Sequence, residues 1–420
     1  MALEFLIIGV TIVMGFLANQ IFERTRISHV ILLMLFGFLL GPILGLLPMT
    51  PDSVILSVLP FMASLALIFL LFDGGIEFDI VRLARTIPRS MLFTLLVFTL
   101  SIVLITAFTV FALGWNITDG ALLGAVIGGS SGAVVISLVE KTHTKKETKS
   151  LLTVESTMTD ALVIVTAVII LQMISAGVGM DISAIANLFL ASFTIAIVLG
   201  IVAALLWISL MNRFELHLYS YMLMLALLFG LFSVTEIVKG NGGIAVFVFG
   251  IVLGNAKKLG KLARVEWVNP VSRTSRLFQE EVTFFVRTFF FVYIGLFMSL
   301  SYFTPFVLAV SVAFILLVAL ARIVIQQLVL HDIPELDEKV IITMMPRGLA
   351  AAVVAAIIPK MAGELGISID IPYFQEFVFM VILLSNVAAT AGVFLFKEVE
   401  EPQEKKEASK EKRNAKKKNG

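Results

Sequence analysis

Two carboxylates, Glu155 and Asp160, lie inside Leu151 to Ile174, a run otherwise apolar enough to span a bilayer. A charged side chain at mid-bilayer costs about 2.5 to 3.5 kcal/mol on insertion scales, so a retained one faces the protein interior with a partner, water or an ion. On a helix, Ser156 and Asp160 are four apart and share a face, as do Glu155 and Thr159. Glu155 and Asp160, five apart, point about 140° away from each other. The two acids therefore serve different ends. A carboxylate removed from water favours a neutralising partner, and a proton or a small hard cation can each take that place. Oxygen ligands suit an alkali cation and suit a soft metal poorly. Ser156 and Thr159 offer such oxygens, and so do Ser130 and Ser131 in a glycine-rich interruption upstream. Asp160 is thus read as the binding group for an alkali cation or a proton, never both, with Thr159, Ser156, Ser130 and Ser131 as candidate ligands. The bland alternatives are a structural hydrogen bond or ion pair for Asp160 and close helix packing for the four hydroxyl residues.

Arg347 follows Pro346 in another interrupted run, where a lone guanidinium is costly and needs an acidic partner. The candidates are Glu155 and Asp73, and the expectation is that Arg347 pairs with one or both. Arg287, near the start of a later apolar run, is explained as well by snorkelling to the cytoplasmic headgroups.

These residues need membrane helices to position them. The 420-residue chain is 59% hydrophobic and 15% charged with 35 Phe, far outside the soluble range, so a polytopic membrane protein is expected. A net charge of +1 gives no basic surface for nucleic acid. The absence of cysteine excludes disulfides and thiolate chemistry. The N-terminus opens without a basic leader or cleavage site, so the first span is expected to be retained. The four histidines fall at span ends or in loops, and no phosphate loop or nucleotide fingerprint occurs.

Apolar windows of about 20 residues predict thirteen spans near 3-22, 29-47, 54-76, 90-113, 120-139, 151-174, 187-211, 218-237, 242-255, 282-300, 303-329, 339-362 and 374-396. Alternate loops then divide the 31 basic residues unevenly: 26 on one side, only Lys239 and Lys360 on the other, with Arg287, Arg322 and Arg347 inside spans. By the positive-inside rule the N-terminus lies outside and the C-terminus in the cytoplasm. Residues 397-420 have mixed charge and no apolar periodicity, and read as a solvated tail.

Gly128-Gly129-Ser130-Ser131-Gly132 interrupts the fifth span and Pro346-Arg347-Gly348 the twelfth. With the seventh span (187-211) as a linker, residues 3-174 and 218-396 form two six-span halves of opposite orientation, each broken in its fifth span. Matched breaks of this kind point to a transporter's binding site, because unwound backbone exposes carbonyls and helix ends to an ion.

Several stretches together resemble the monovalent cation:proton antiporters, particularly the NhaP type. They are Asp73-Gly74-Gly75, Gly240 to Val248 leading to Gly254-Asn255, Glu155 to Asp160, Phe290 to Gly295 and Pro346-Arg347-Gly348, and the resemblance runs from about residue 5 to 396. It implies thirteen spans, two crossed unwound helices in a mobile core, a homodimer, and an elevator-like exchange of sodium, lithium or potassium for protons without any cofactor. By motif position Asp160 matches the ion-binding aspartate, Thr159 its polar neighbour, Ser156 a hydroxyl ligand, and Glu155 and Arg347 structural charges. The chain departs from the family in carrying Thr159 where Asn is usual, and Ser130-Ser131-Gly132 where Thr-Asp-Pro is usual.

The fold expected is all-α and polytopic, with thirteen transmembrane helices in two inverted six-helix repeats. The function expected is electroneutral cation/proton exchange serving pH homeostasis in a prokaryotic plasma membrane, because one acid occupies the core position rather than two. The rivals are a gated potassium efflux system and a sodium-coupled solute symporter. An enzyme is disfavoured, since no nucleophile-base pair or metal set is present.

Overall fold

Backbone amides and carbonyls find no water in a bilayer, so an apolar run must satisfy them within its own segment, and helices do so. The computed structural model describes residues 2-25, 27-45, 54-78, 88-140, 142, 144-175, 182-213, 220-263, 273-299, 303-330, 333-366 and 371-395. The tail from 397 lies outside them, as do His143, His217, His331 and, from the basic loops, Arg26, Arg82, Arg85, Lys141 and Arg264. Among the described residues every regular element is helical. In chain order these begin with α1 (Ala2–Thr25), α2 (His29–Phe38), α3 (Val54–Glu77) and α4 (Pro88–Leu113). Next come α5 (Ile117–Gly128), α6 (Gly132–Val139), α7 (Lys146–Ser175) and α8 (Ile182–Arg213). They are followed by α9 (Ser220–Ile237), α10 (Gly242–Gly254), α11 (Ala256–Ala263) and α12 (Arg273–Phe297). The last four are α13 (Pro305–Val329), α14 (Glu335–Thr343), α15 (Leu349–Glu364) and α16 (Phe374–Leu395). Seven stretches of described helix are long and apolar enough to cross a membrane, and shorter apolar helices accompany them at His29–Ile43, Gly242–Gly254 and Leu349–Gly363.

The interrupted runs predicted as the fifth and twelfth spans are each two half-helices. Gly129 and Ser131 are extended (φ −85°, ψ 155° and φ −85°, ψ 118°), which parts α5 from α6. Residues 344-348 part α14 from α15. The second span is shorter than the predicted 29-47. It closes in a π turn at Leu39–Ile43, where Pro42 supplies no amide and the regular ladder cannot continue. The tenth begins at Arg273 rather than 282, because its polar first turns continue the same helix.

The helices form two groups. In the first, α3 lies on α10, α10 on α8 and α9, and α2 on α1 and α12. In the second, α4 lies on α5, α7 and α13, and α7 on α5, α6 and α15. Helix α16 joins the second group through Phe377, whose ring meets Trp115 and Phe314. Glycines allow the closest approaches, as small residues do between membrane helices. A methyl on Gly75 of α3 would strike the Phe247 carbonyl of α10, and one on Gly250 would lie 2.7 Å from the Phe72 carbonyl. The α2–α12 contact repeats the device, with Gly37 against the Val292 carbonyl and Gly295 against the Met34 carbonyl. The groups meet where α15 and α7 lie on α3 and where α15 lies on α12.

Candidate functional site

The two breaks cross, and their backbones are bonded to each other: the Ser131 N–H donates to the Pro346 carbonyl at 2.8 Å. Gly348 makes this approach possible, since a methyl there would collide with the Ser131 side chain. Neighbouring amides of the first break are held by α7. The Ser130 N–H donates to Thr159 Oγ1 at 3.1 Å, and the Gly132 N–H, at the head of α6, donates to Asp160 Oδ2 at 3.0 Å. The Ser130 hydroxyl donates to Glu155 Oε1 at 3.3 Å. The second break is held by α16. Ser385 Oγ accepts the Arg347 N–H at 2.9 Å, and the Asn386 amide donates to the Arg347 carbonyl at 2.7 Å. Apart from the Ser130–Glu155 side-chain bond, each of these satisfies a peptide group that the interrupted helices leave open.

A cavity of about 290 Å³ opens beside this crossing, between the two helix groups. Its wall includes Ser131, Gly132, Thr157 and Asp160 from the second group and Asp73, Glu77 and Arg287 from the first. Asp160 is half-buried and faces this space, in contrast to the buried Glu155. Asp160 and Thr157, three apart, share the lining face of α7. Ser130, Ser156 and Thr159 are fully buried and are not part of the wall. Of the five residues that spacing nominated as a ligand set, the structure therefore brings Asp160 and Ser131 together at the cavity. It gives Ser130 and Thr159 to the bracing of the break, and Ser156 to the Thr153 carbonyl at 3.1 Å.

The expected partnership of Arg347 is corrected. Glu155 is held by Arg322 of α13, whose Nη1 and Nη2 reach Oε1 and Oε2, the latter at 2.8 Å, both residues being about 1 to 2% exposed. The Arg322 Nε donates to the Ile341 carbonyl at 2.8 Å, at the carbonyl end of α14 where a cation is favoured. Asp73 is bonded to neither arginine. It accepts from Thr283 Oγ1 at 2.7 Å and from Gln279 Nε2 at 2.9 Å, and Gln279 in turn accepts the Tyr221 hydroxyl at 2.5 Å. Arg347 is fully buried and its Nη1 has no hydrogen-bond partner, so its contribution to the crossing is made by its backbone.

The model for the sodium/hydrogen exchanger transmembrane domain matches residues 8–398. The chain belongs to the sodium/hydrogen exchanger family. Among relatives of this chain, the K(+)/H(+) antiporter NhaP of Alkalimonas amylolytica is 27% identical over 260 residues, covering 61% of this chain and 44% of that protein. The chain thus spans less than half the length of that relative. The Na(+)/H(+) antiporter 1 of Methanocaldococcus jannaschii is 27% identical over 315 residues, covering 71% of this chain and 70% of its own. The solved structure of the sodium proton antiporter MjNhaP1 from Methanocaldococcus jannaschii at pH 8 superimposes with a TM-score of 0.76, at 23% identity, over 94% of this chain and 98% of that one. The fold and the relatives are of the NhaP type, and the relatives are named as transporters rather than enzymes.

Spacing missed the placement of three residues at or near this crossing. Thr157 shares the face of Asp160 as well as Ser156 does, and nothing in an i, i+3 versus i, i+4 spacing chooses between them. Arg322 lies in the unbroken apolar run Leu316 to Val329, which demands a partner more strictly than a residue beside a break. That signal was available. Arg287 lines the cavity with Asp73 and Asp160 rather than reaching only for headgroups. Among the described residues no three His, Cys, Asp or Glu side chains converge as a metal set.

Proposed function

We propose that this chain is a secondary antiporter that exchanges sodium or lithium, with potassium as a further substrate, for protons by alternating access at Asp160. One observation carries the reading: Asp160, half-buried and bonded to the first break through the Gly132 amide, faces a cavity at the bonded crossing of two broken helices. The family and the names of its relatives agree with it. Ser131 and Thr157 join Asp160 as oxygen ligands from the same wall. Glu155 is neutralised by Arg322 and Asp73 is held by neutral donors, so each has work within the fold. Asp160, with a backbone amide as its hydrogen-bond partner, remains to take either a proton or a cation. One exchangeable acid favours one proton per cation and hence electroneutral exchange. Net exchange then requires that the empty, charged site cross slowly.

We further propose thirteen crossings in two inverted six-helix repeats, α1 to α7 and α9 to α16, joined by α8. Supporting this is a reciprocal pairing. The second helix of one half lies on the third of the other in both directions, α2 with α12 and α10 with α3. The fourth helices α4 and α13 meet each other, as do the two broken fifth spans. A pseudo-two-fold axis in the membrane plane generates such reciprocity. A homodimer in a prokaryotic plasma membrane, N-terminus outside and C-terminus cytoplasmic, completes the proposal.

The test is reconstitution in liposomes with an imposed pH gradient, adding sodium, lithium, potassium or choline separately. The expected outcome is proton efflux driven by at least one alkali cation and not by choline, lost in Asp160→Asn. Choline responding as well as sodium, or undiminished exchange in the variant, would overturn the reading. A current at zero potential in the same vesicles would remove electroneutrality alone.

A further inference from the structure

Gly132 occupies the first helical position of α6, and its peptide N–H points at Asp160 Oδ2 at 3.0 Å. Its missing side chain matters to the same contact, because a methyl on Gly132 would lie 3.1 Å from that oxygen. Gly132 and Asp160 both line the cavity along with Ser131 and Thr157, and His29 of α2, Asp73 and Glu77 of α3 and Arg287 of α12 share that cavity with them, the same in wild type and in each variant at 132. One carboxylate oxygen is therefore engaged by backbone, and the other is the one left to meet an ion beside the two hydroxyls.

We infer that the Gly132 amide is the positioning donor that sets how tightly Asp160 holds either of its occupants, an inference that rests on the antiport reading above. A hydrogen bond from a backbone N–H is stronger to a charged carboxylate than to a neutral acid. The bond, reinforced by the positive end of the α6 half-helix, therefore favours the empty carboxylate over its protonated form. A bound cation likewise draws charge away from the oxygen that the amide contacts. Proton and cation are each held less tightly than they would be without this donor. Release, which limits any exchanger whose site binds too well, is correspondingly eased.

Proline at 132 removes the donor and places its ring carbons beside Asp160 Oδ2, so the carboxylate must turn aside. Proline is favoured at the first position of a helix, where the amide has no partner within the helix. The preceding residue, Ser131, already has the extended backbone (φ −85°, ψ 118°) that a following proline imposes. Gly132→Ala keeps the amide while adding the methyl, and so separates donor from bulk.

The experiment measures the cation KM and the pH dependence of exchange in liposomes for wild type, Gly132→Pro and Gly132→Ala. In Gly132→Pro the half-maximal pH is expected to move about one unit to the alkaline side. Its KM, read well above that pH, is expected to fall about tenfold, the size of one charge-assisted bond. Gly132→Ala keeps the donor but crowds the same oxygen, and is expected to shift the half-maximal pH by much less than Gly132→Pro, whatever its rate. An unchanged profile in Gly132→Pro, or equal shifts in both variants, would overturn the assignment. Asp160→Asn in the same vesicles separates the two levels of argument, since retained exchange there would sink the antiport reading itself. Should Gly132→Pro fail to fold, hydrogen-deuterium exchange decides. The peptide covering 128-135 is expected to exchange faster in Asp160→Ala than in wild type, and equal rates would refute the bond.

Discussion

At the scale of single residues, Glu155 and Asp160 show how five positions on one helix divide labour. Asp160 faces the cavity, while Glu155 turns inward to a bidentate arginine and a serine of the first break. The 140° offset read from sequence anticipated that division, and it follows from helix geometry alone. The identity of the buried partner did not follow, because Arg322 and Arg347 are 25 positions apart in sequence yet both approach Glu155, and only three-dimensional packing chooses between them. Removing one side of a buried ion pair leaves an uncompensated charge, at a cost of about 3 to 5 kcal/mol. Arg322→Ala and Glu155→Ala are therefore each expected to lower the melting temperature in detergent sharply, whereas Glu155→Leu with Arg322→Met together is expected to melt closer to wild type. A double variant as unstable as the singles would show that the charges do something other than neutralise one another. Arg347 Nη1 has no hydrogen-bond partner, while Arg322 engages both carboxylate oxygens of Glu155.

At the scale of elements, the broken helices were legible because glycine clusters and an internal proline cannot sustain a regular ladder. Their exact ends were not, since Ile117 to Gly128 and Glu335 to Thr343 begin in polar turns that a hydropathy window discards. Also hidden was the use of glycine at Gly75, Gly250, Gly37 and Gly295, where composition alone cannot tell a crossing from an ordinary membrane glycine. The distinction is testable. Gly250→Leu places bulk against the backbone of α3 and is expected to destabilise by about 1 to 3 kcal/mol or more, as overpacking does. Gly230→Ala, with nothing within 4 Å of the added methyl, is expected to leave the melting temperature nearly unchanged. Equal melting of the two variants would mean that α3 and α10 are not held at the observed spacing. The short half-helices α6 and α14 gain their order from neighbours rather than from length. Asp337 illustrates this at the start of α14, accepting the Thr148 hydroxyl at 2.6 Å and the Lys145 amide at 3.2 Å from the head of α7.

At the scale of the whole molecule, two helix groups meet along α3, α7, α12 and α15, and the cavity lies between them. The turn between α1 and α2, in the first group, nevertheless grips α16 in the second: Ser28 Oγ donates to Asn386 Oδ1 at 2.8 Å, and the Ser28 N–H to Thr390 Oγ1 at 3.3 Å. Asn386 is the residue whose amide also holds the Arg347 carbonyl, so the grip runs unbroken to the crossing. If one group slides past the other during turnover, this clasp opens and recloses once per cycle, and its rupture belongs to the activation enthalpy rather than to the affinity for any ion. Turnover in wild type should then fall steeply on cooling, and Ser28→Ala should flatten the Arrhenius slope while leaving the cation KM in place. A slope identical in the two would mean that the clasp never opens. The cold sensitivity of this machine would thus be written in a turn far from the acid that does its chemistry.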